Sequence, residues 1–397
     1  MIQRRRPRVL HVGKYYPPQV GGMETHLQAL CTRLQDQVEV EVIVSGDQRR
    51  TVHTRVDGVP VTRVGRAGVF ASTPICPSMW SAIRGIPADI VHLHHPNPWA
   101  VAAYLASGHP GKLVVTYHSD VIHQRLLNHL YEPILRRVLD RASAIIASSP
   151  DYVESSALLT EYRDRCRVIP FGIDASHLQR VEPEAVNAIR RTYGNRLVLS
   201  VGRLVYYKGF EYLIRAMRDV EGCLLIVGEG PLHARLEEEA KANGVEDRVV
   251  FLGKVHDVAP YYYAADVFAL ASCMRSEAFG IVQIEAMACG TPVVNTSLRS
   301  GVPFVSPHGE TGITVPPACP DALALGLNAL LDDPRRRAAL GMAARRRAAA
   351  LFDLDGMVDN TLRLYSEVLE GSWIATRAPR RAAQAAPADR PVAVALS

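Results

Sequence analysis

Nowhere does the sequence hold the ~18 consecutive uncharged apolar residues that a membrane span requires. Its start, MIQRRRPRVLHV, runs straight into a strand-like stretch, without the separate apolar segment and small-residue site of a signal peptide, so export is not expected. The seven cysteines, Cys31, Cys76, Cys166, Cys223, Cys273, Cys289 and Cys319, are scattered, odd in number and never in C-x-x-C spacing. That usage argues against a disulfide framework and for reduced thiols in a cytoplasm. Neither sign of charge dominates: the net charge is +5 and the pI about 8.8. So mild an excess suits anionic ligands or lipid head groups, and no nucleic-acid partner is expected.

What is present is a soluble globular composition, 48% hydrophobic and 21% charged, in 397 residues. That length exceeds what one core usually supports, so two domains are expected. Short β-branched runs alternate with helical stretches, and the alternation happens twice. The first half offers RVLHV, VEVEVIVS, VPVTRVG, DIVHLHH, KLVVTYHS, AIIASS and RVIPFGI; the second offers RLVLSVG, CLLIVGEG, RVVFLGK, VFALAS, TPVVNT and GITVPP. Strand and helix in this order imply α/β domains with parallel, doubly wound sheets. The expected division is 1–172 and 173–355, with a helix near 356–372 packing back on the first domain. Residues 373–397, rich in Ala, Pro and Arg without a period, read as a disordered tail.

Ligands of such sheets bind beyond the carboxyl ends of the strands. After the first strand, Gly21 and Gly22 open a helix and allow close backbone approach; an ordinary strand-to-helix turn would look the same. In VGRLVYYKGF, Arg203 and Lys208 stand at the two ends of a strand-end loop, as a diphosphate site requires, although surface cations are common. In VTYHSD, His118 follows a buried strand and should face the cleft. The stretch RSEAFGIVQIEAMACGTPVV is apolar yet carries Glu277 and Glu285. A helix from Gly280 places Ile281, Ile284 and Ala288 in one stripe, with Glu285 on that buried face and Gln283 pointing the opposite way. Phe279 and Gly280 offer no capping side chain, so the N–H groups of Gly280, Ile281 and Val282 are open to an anionic ligand. The competing reading has Ser276 or Glu277 as the cap and Glu285 paired with a buried Arg.

Two metal-like patterns carry less. The D-x-D at Asp353 and Asp355 reads as a helix-start signal. In VHLHHPNP, strand alternation splits His92, His94 and His95 between faces, and no fourth ligand is evident, so no metal is expected.

The pieces YYPPQVGGMETH, TYHSD, VIPFGID, VGRLVYYKG, IVGEGP and above all SEAFGIVQIEAMACGTPVV, an E-x7-E pattern, resemble the retaining glycosyltransferases of family 4 over roughly residues 8–372. The resemblance implies a GT-B fold, two Rossmann-like domains facing a cleft, and no cofactor. By the same resemblance, Arg203 and Lys208 would bind the donor diphosphate. Glu277, with the backbone of Phe279, Gly280 and Ile281, would hold the donor sugar, and Val282 would approach the phosphate. Glu285 would take the ribose hydroxyls, His118 would sit at the reacting sugar, and Gly22 beside the diphosphate and acceptor. The loop from Val255 to Ala259 would read the base.

The segment VVNTSLRSGVPFVSPHGETGITVPP resembles family members that add mannose or rhamnose to lipid-linked polysaccharide precursors. It implies a GDP-linked hexose donor and a polyprenyl-diphosphate-linked saccharide acceptor. A UDP-sugar-dependent transferase, a phosphorylase-like sugar-phosphate enzyme and a non-catalytic sugar- or lipid-binding protein on the same fold remain as alternatives. Finally, in VIHQRLLNHLYEPILRRVLDRA, Leu126, Leu130, Ile134 and Leu135 share one side, with His123, Arg125, Arg136, Arg137 and Arg141 as basic groups and Pro133 dividing the helix. Packing on its own sheet explains such a helix; so does contact with an anionic membrane surface, which would place the protein on the inner face of the plasma membrane.

Overall fold

In the computed structural model the described residues are 5–19, 21–120 and 125–369, with the side chains of 125–129 excepted. The expected tail at 373–397, His123, and the side chains of Arg125 and Leu126 lie outside that description. Each apolar run named above becomes a strand. The seven of the first half, with an eighth strand, Val52–Val56, that no run named above covers, form an eight-stranded sheet in the order Cys166–Val168, Ala142–Ala147, Lys112–Tyr117, Ile90–His95, Arg8–Val12, Glu39–Ser45, Val59–Val64, Val52–Val56. Those of the second form a six-stranded sheet: Val249–Gly253, Cys223–Val227, Leu197–Val201, Val267–Ala269, Val293–Thr296, Gly312–Val315.

All pairings in the two sheets are parallel except one. Val52–Val56 runs antiparallel to Val59–Val64, which corrects the expectation of purely parallel sheets at that edge. Its cause is local. Asp57 and Gly58 both take positive φ (50° and 83°), the geometry of a two-residue hairpin turn.

Strand order reverses between Arg8–Val12 and Ile90–His95 in the first sheet, and between Leu197–Val201 and Val267–Ala269 in the second. At such points neighbouring loops diverge and leave a crevice. His118, Gly21, Lys208 and Glu277 all follow strands at or next to these two points.

The chain crosses between halves twice. Phe171, Leu178 and Ile189 join the core of the second half, where the helix Pro183–Tyr193 packs. Near the end, Ile173 N–H donates to Phe352 O and Leu354 N–H to Ile173 O. The helix Leu354–Val368 then buries Met357, Val358, Leu362, Leu364 and Tyr365 in the core of the first half, beside the helix Gly22–Leu34. Asp353 caps it through Gly356 N–H, so the D-x-D pattern is a helix start. No helix among the described residues is long and apolar enough to cross a membrane.

Candidate active site

The loops at the second switch point bring a cation and a carboxylate together. Gly209 takes φ 66°, and a side chain there would collide with the carbonyl of Ala271, so only glycine lets the two loops touch. Just before it, Lys208 Nζ lies 2.5 Å from Glu277 Oε2, with side chains only 11% and 10% exposed. Ser272 Oγ donates to the same carboxylate oxygen at 3.0 Å. Burial opposes the Lys208 charge, but Glu277 outweighs it and the ammonium is held above its usual range. Arg203, at the other end of the same loop, is exposed.

The helix expected after SEAFG runs Ile281–Ala288. Gly280 precedes it at φ 76°, and no side chain caps its N-terminus. Neither Ser276 nor Glu277 folds back, so its first N–H groups are free to meet an anion. Phe279 is buried behind them, while Ile281, Val282, Glu285 and Ala288 are half-buried. The expected burial is therefore corrected: the fully enclosed polar residue is Gln283. Its amide donates to Phe279 O at 3.0 Å and its oxygen accepts from Asn295 at 2.9 Å. Among the described residues Glu285 pairs with no Arg. Tyr262 Oη donates to it at 2.6 Å, and burial raises its carboxyl above the usual range against the pull of Tyr262, His177 and Lys208. Val255 is half-buried in the loop after Val249–Gly253.

In the first half, Gly21 is extended (φ −175°) and precedes the helix Gly22–Leu34, again without a side-chain cap. A side chain at Gly22 would meet nothing within 4 Å; one at Gly21 would run into the Glu24 carboxylate. His118 is buried and belongs to a histidine group that exceeds the three residues expected. Register explains it. His11 is paired with His92 across neighbouring strands, and His94 with Thr116, so His11, His92, His94, Thr116 and His118 share one sheet face. His95 points to the other face, against Tyr117 and Tyr131. His26 joins from the covering helix, its ring 5.1 Å from that of His118.

The rings form a connected line. His118 Nε2 lies 3.1 Å from His94 Nδ1, and His94 Nε2 lies 3.1 Å from His11 Nδ1. Tyr365 Oη lies 3.4 Å from His11 Nε2 and 2.6 Å from His92 Nδ1, and His92 Nε2 lies 2.6 Å from Thr116 Oγ1. Burial pushes His11 down to about 3 and His26 to about 4, and holds His92, His94 and His118 well below the imidazole range, with neighbouring rings adding to it. All are neutral. Two triads, His11/His92/His94 and His26/His94/His118, bring nitrogens within 4.8 Å, so the expectation that these histidines lack further ligand-type neighbours is corrected. Both nitrogens of His94, shared by the triads, are already engaged by other rings.

The two halves meet at these motifs. The His118 ring lies 5.1 Å from Phe171, and Phe171 lies 5.1 Å from Phe279. Arg275 donates to Asp120 at 3.0 Å and to Ser155 at 3.3 Å, while Tyr117 and Ser156 hydroxyls hold the other Asp120 oxygen. Asp120 ends the motif TYHSD and Arg275 immediately precedes SEAFG, yet nothing in one sequence pairs them. Tyr262, Ser272, His11 and His26 were equally unmarked, because their roles depend on which strands become neighbours.

Comparisons with known proteins agree with this geometry. Residues 20–177 match the family model described as Glycosyltransferase Family 4, and residues 182–347 that described as Glycosyl transferases group 1. The O-antigen chain mannosyltransferase C of Escherichia coli is 33% identical over 91% of this chain and 99% of its own length. The D-rhamnosyltransferase WbpZ of Pseudomonas aeruginosa is 33% identical over 87% and 92%. Among solved structures, a sucrose-phosphate synthase from Thermosynechococcus elongatus superposes with a TM-score of 0.77 at 24% identity, covering 92% of this chain and all of that one. With two sheets facing a cleft, a family model on each half and relatives spanning nearly its whole length, the chain belongs to the glycosyltransferases of the GT-B fold.

Proposed function

We propose that the protein moves a hexose from a nucleotide diphosphate sugar, of the GDP-mannose or GDP-rhamnose type, to a hydroxyl of a lipid-linked saccharide in bacterial surface polysaccharide synthesis. The first half takes the acceptor and the second the donor. The observation that carries this reading is the convergence of Glu277 and Glu285 on Lys208, with Glu277 just before, and Glu285 within, a helix whose N-terminus is uncapped. A cation kept charged, a bare N-terminus and exposed Arg203 supply three positive partners for a diphosphate. Glu277 holds sugar hydroxyls, with the backbone of Phe279, Gly280 and Ile281, and Val282 N–H reaches the phosphate. Glu285, oriented by Tyr262, takes the ribose hydroxyls. The relatives' names, a mannosyltransferase and a rhamnosyltransferase, support the sugar.

The reaction follows from these placements. The sugar C1–O bond breaks and its electron pair leaves with the diphosphate, where Lys208, Arg203 and the helix start stabilise the growing charge. The acceptor oxygen bonds to C1 on the same face, with retention, and its proton passes to the departing phosphate oxygen. His118 sits at the reacting sugar, and the backbone at Gly21 and Gly22 lies beside the diphosphate and the acceptor. Val255 borders the base. Thermal shift with GDP, UDP and ADP tests the donor class: GDP is expected to raise the melting temperature most, and a larger shift with UDP overturns the base assignment.

A lipid-linked acceptor requires contact with a membrane. The helix Arg125–Arg141 continues through Pro133 and is not divided by it. Leu130 is 74% exposed and Arg137 and Arg141 face solvent, whereas Leu135 is buried, so the expected apolar stripe is split. Arg136 is tied to Glu132 and Glu161. The exposed part of this helix is our candidate for contact with the anionic inner face of the plasma membrane.

A further inference from the structure

The line of rings behind His118 has a direction, and donor counting sets it. Thr116 is buried, and its hydroxyl has a single partner among the described residues, His92 Nε2 at 2.6 Å. If His92 Nε2 carried the proton, the Thr116 hydrogen would be buried without an acceptor, which proteins avoid. Thr116 therefore donates to His92 Nε2. The neutral His92 ring then carries its proton on Nδ1 and donates to Tyr365 Oη at 2.6 Å. Tyr365 has one hydrogen, and His11 Nε2 at 3.4 Å is where it goes. His11 must then donate from Nδ1 to His94 Nε2, and His94 from Nδ1 to His118 Nε2, both at 3.1 Å. Each ring along the line accepts at Nε2 and donates at Nδ1. Every hydrogen finds an acceptor until the last, on His118 Nδ1, a nitrogen with no partner among the described residues.

We propose that the chain Thr116–His92–Tyr365–His11–His94–His118 locks His118 as its Nδ1–H tautomer, so that Tyr365 on the C-terminal helix and Thr116 act as positioning residues for the donor that His118 presents in the cleft. The inference rests on the reading that places His118 at the reacting sugar. It deepens that reading in one respect. A nitrogen that already carries its proton cannot serve as a base, so His118 offers a hydrogen bond to an oxygen of the bound sugar and does not take the acceptor's proton. The lowered proton affinity of the enclosed rings is consistent with this, since a second proton on His94 or His118 would set its Nε2–H against the Nδ1–H of the preceding ring. It also gives the helix Leu354–Val368 a part in the site: the Tyr365 hydroxyl links His92 Nδ1 to His11 Nε2.

The test reads the tautomer itself. Two-bond proton–nitrogen correlation spectra of the full chain labelled with [15N]histidine, with His118 assigned by its loss in His118→Gln, distinguish the two forms. The wild type is expected to show His118 as Nδ1–H, unchanged from about pH 6 to pH 8. Thr116→Val and Tyr365→Phe each cut the line while keeping shape. In either variant the His118 signals are expected to shift toward the Nε2–H form, with kcat lowered about three- to tenfold and donor KM within about twofold of wild type. An Nε2–H tautomer in the wild type overturns the proposal without touching the donor-site reading, and so does a tautomer unchanged in both variants. Stoichiometric metal in the purified protein overturns it too, because a metal would occupy the lone pairs that the line uses. A shifted tautomer with unchanged kcat overturns the link to catalysis.

Discussion

Lowering the pH from 7.5 to 5.5 should strongly destabilise the first half of the protein, and the structure gives the scale. His11, His26, His92, His94, His95 and His118 are buried there, and burial lowers His11 and His95 to about 3, His26 to about 4 and the others well below the imidazole range. An unfolded histidine titrates near 6.5, so between pH 6.5 and the folded values the unfolded chain binds more protons. Stability contributed by the neutral rings is therefore complete above about pH 6.5 and lost as pH falls toward the folded-state values. At pH 5.5 each ring costs RT ln 11, about 1.4 kcal/mol, and six cost roughly 8 kcal/mol. A domain's whole stability is about 5–15 kcal/mol. Urea midpoints followed by circular dichroism from pH 8 to pH 5 should show a plateau above pH 7 and a steep fall below pH 6.5. A flat profile down to pH 5.5 would refute the reasoning, since it would mean that these rings are protonated in the native state or reached by water.

The two glutamates should fail differently. Glu277→Ala removes contacts to the reacting sugar and leaves Lys208 nearly buried without its partner, so steady-state assays should give kcat lower by about a hundredfold or more, and the unliganded protein should lose about 3 kcal/mol. Normal kcat with only a lower melting temperature would make the pair structural. Glu285→Gln keeps an oxygen for the Tyr262 hydroxyl, so melting temperature should barely change while donor KM rises about tenfold. A large fall in melting temperature with normal donor binding would remove Glu285 from the ribose. Sedimentation with vesicles should show binding to anionic lipid and little to neutral lipid, weakened by charge reversal at Arg137 and Arg141; no preference would count against the membrane contact.

Much of this architecture could be read from local pattern, and the exceptions share a cause. Runs such as KLVVTYHS and CLLIVGEG announce buried parallel strands by continuous apolarity, and SEAFG followed by a helix announces an uncapped N-terminus by what it lacks. The hairpin at Asp57 and Gly58 carried a legible turn signal. Gln283 did not: a 100° helical wheel cannot say that Asn295 waits on the far side. The pairing of Asp120 with Arg275, and of His11 with His92, depends on which distant segments become neighbours. Alternation correctly separated His95 from His92 and His94, but only strand order reveals that the strand holding His11 lies alongside.

The central claim is that Lys208, Glu277 and Glu285 hold a sugar nucleotide whose hexose is transferred with retention. It is tested most directly by incubating the protein with GDP-mannose, GDP-rhamnose and UDP-sugars and a polyprenyl-diphosphate-linked saccharide, then reading the anomeric configuration of the product by NMR. The account predicts nucleoside diphosphate release, fastest with a GDP-hexose, and a glycoside with the configuration of the donor. An inverted product, or no release and no transfer with any donor, would contradict it.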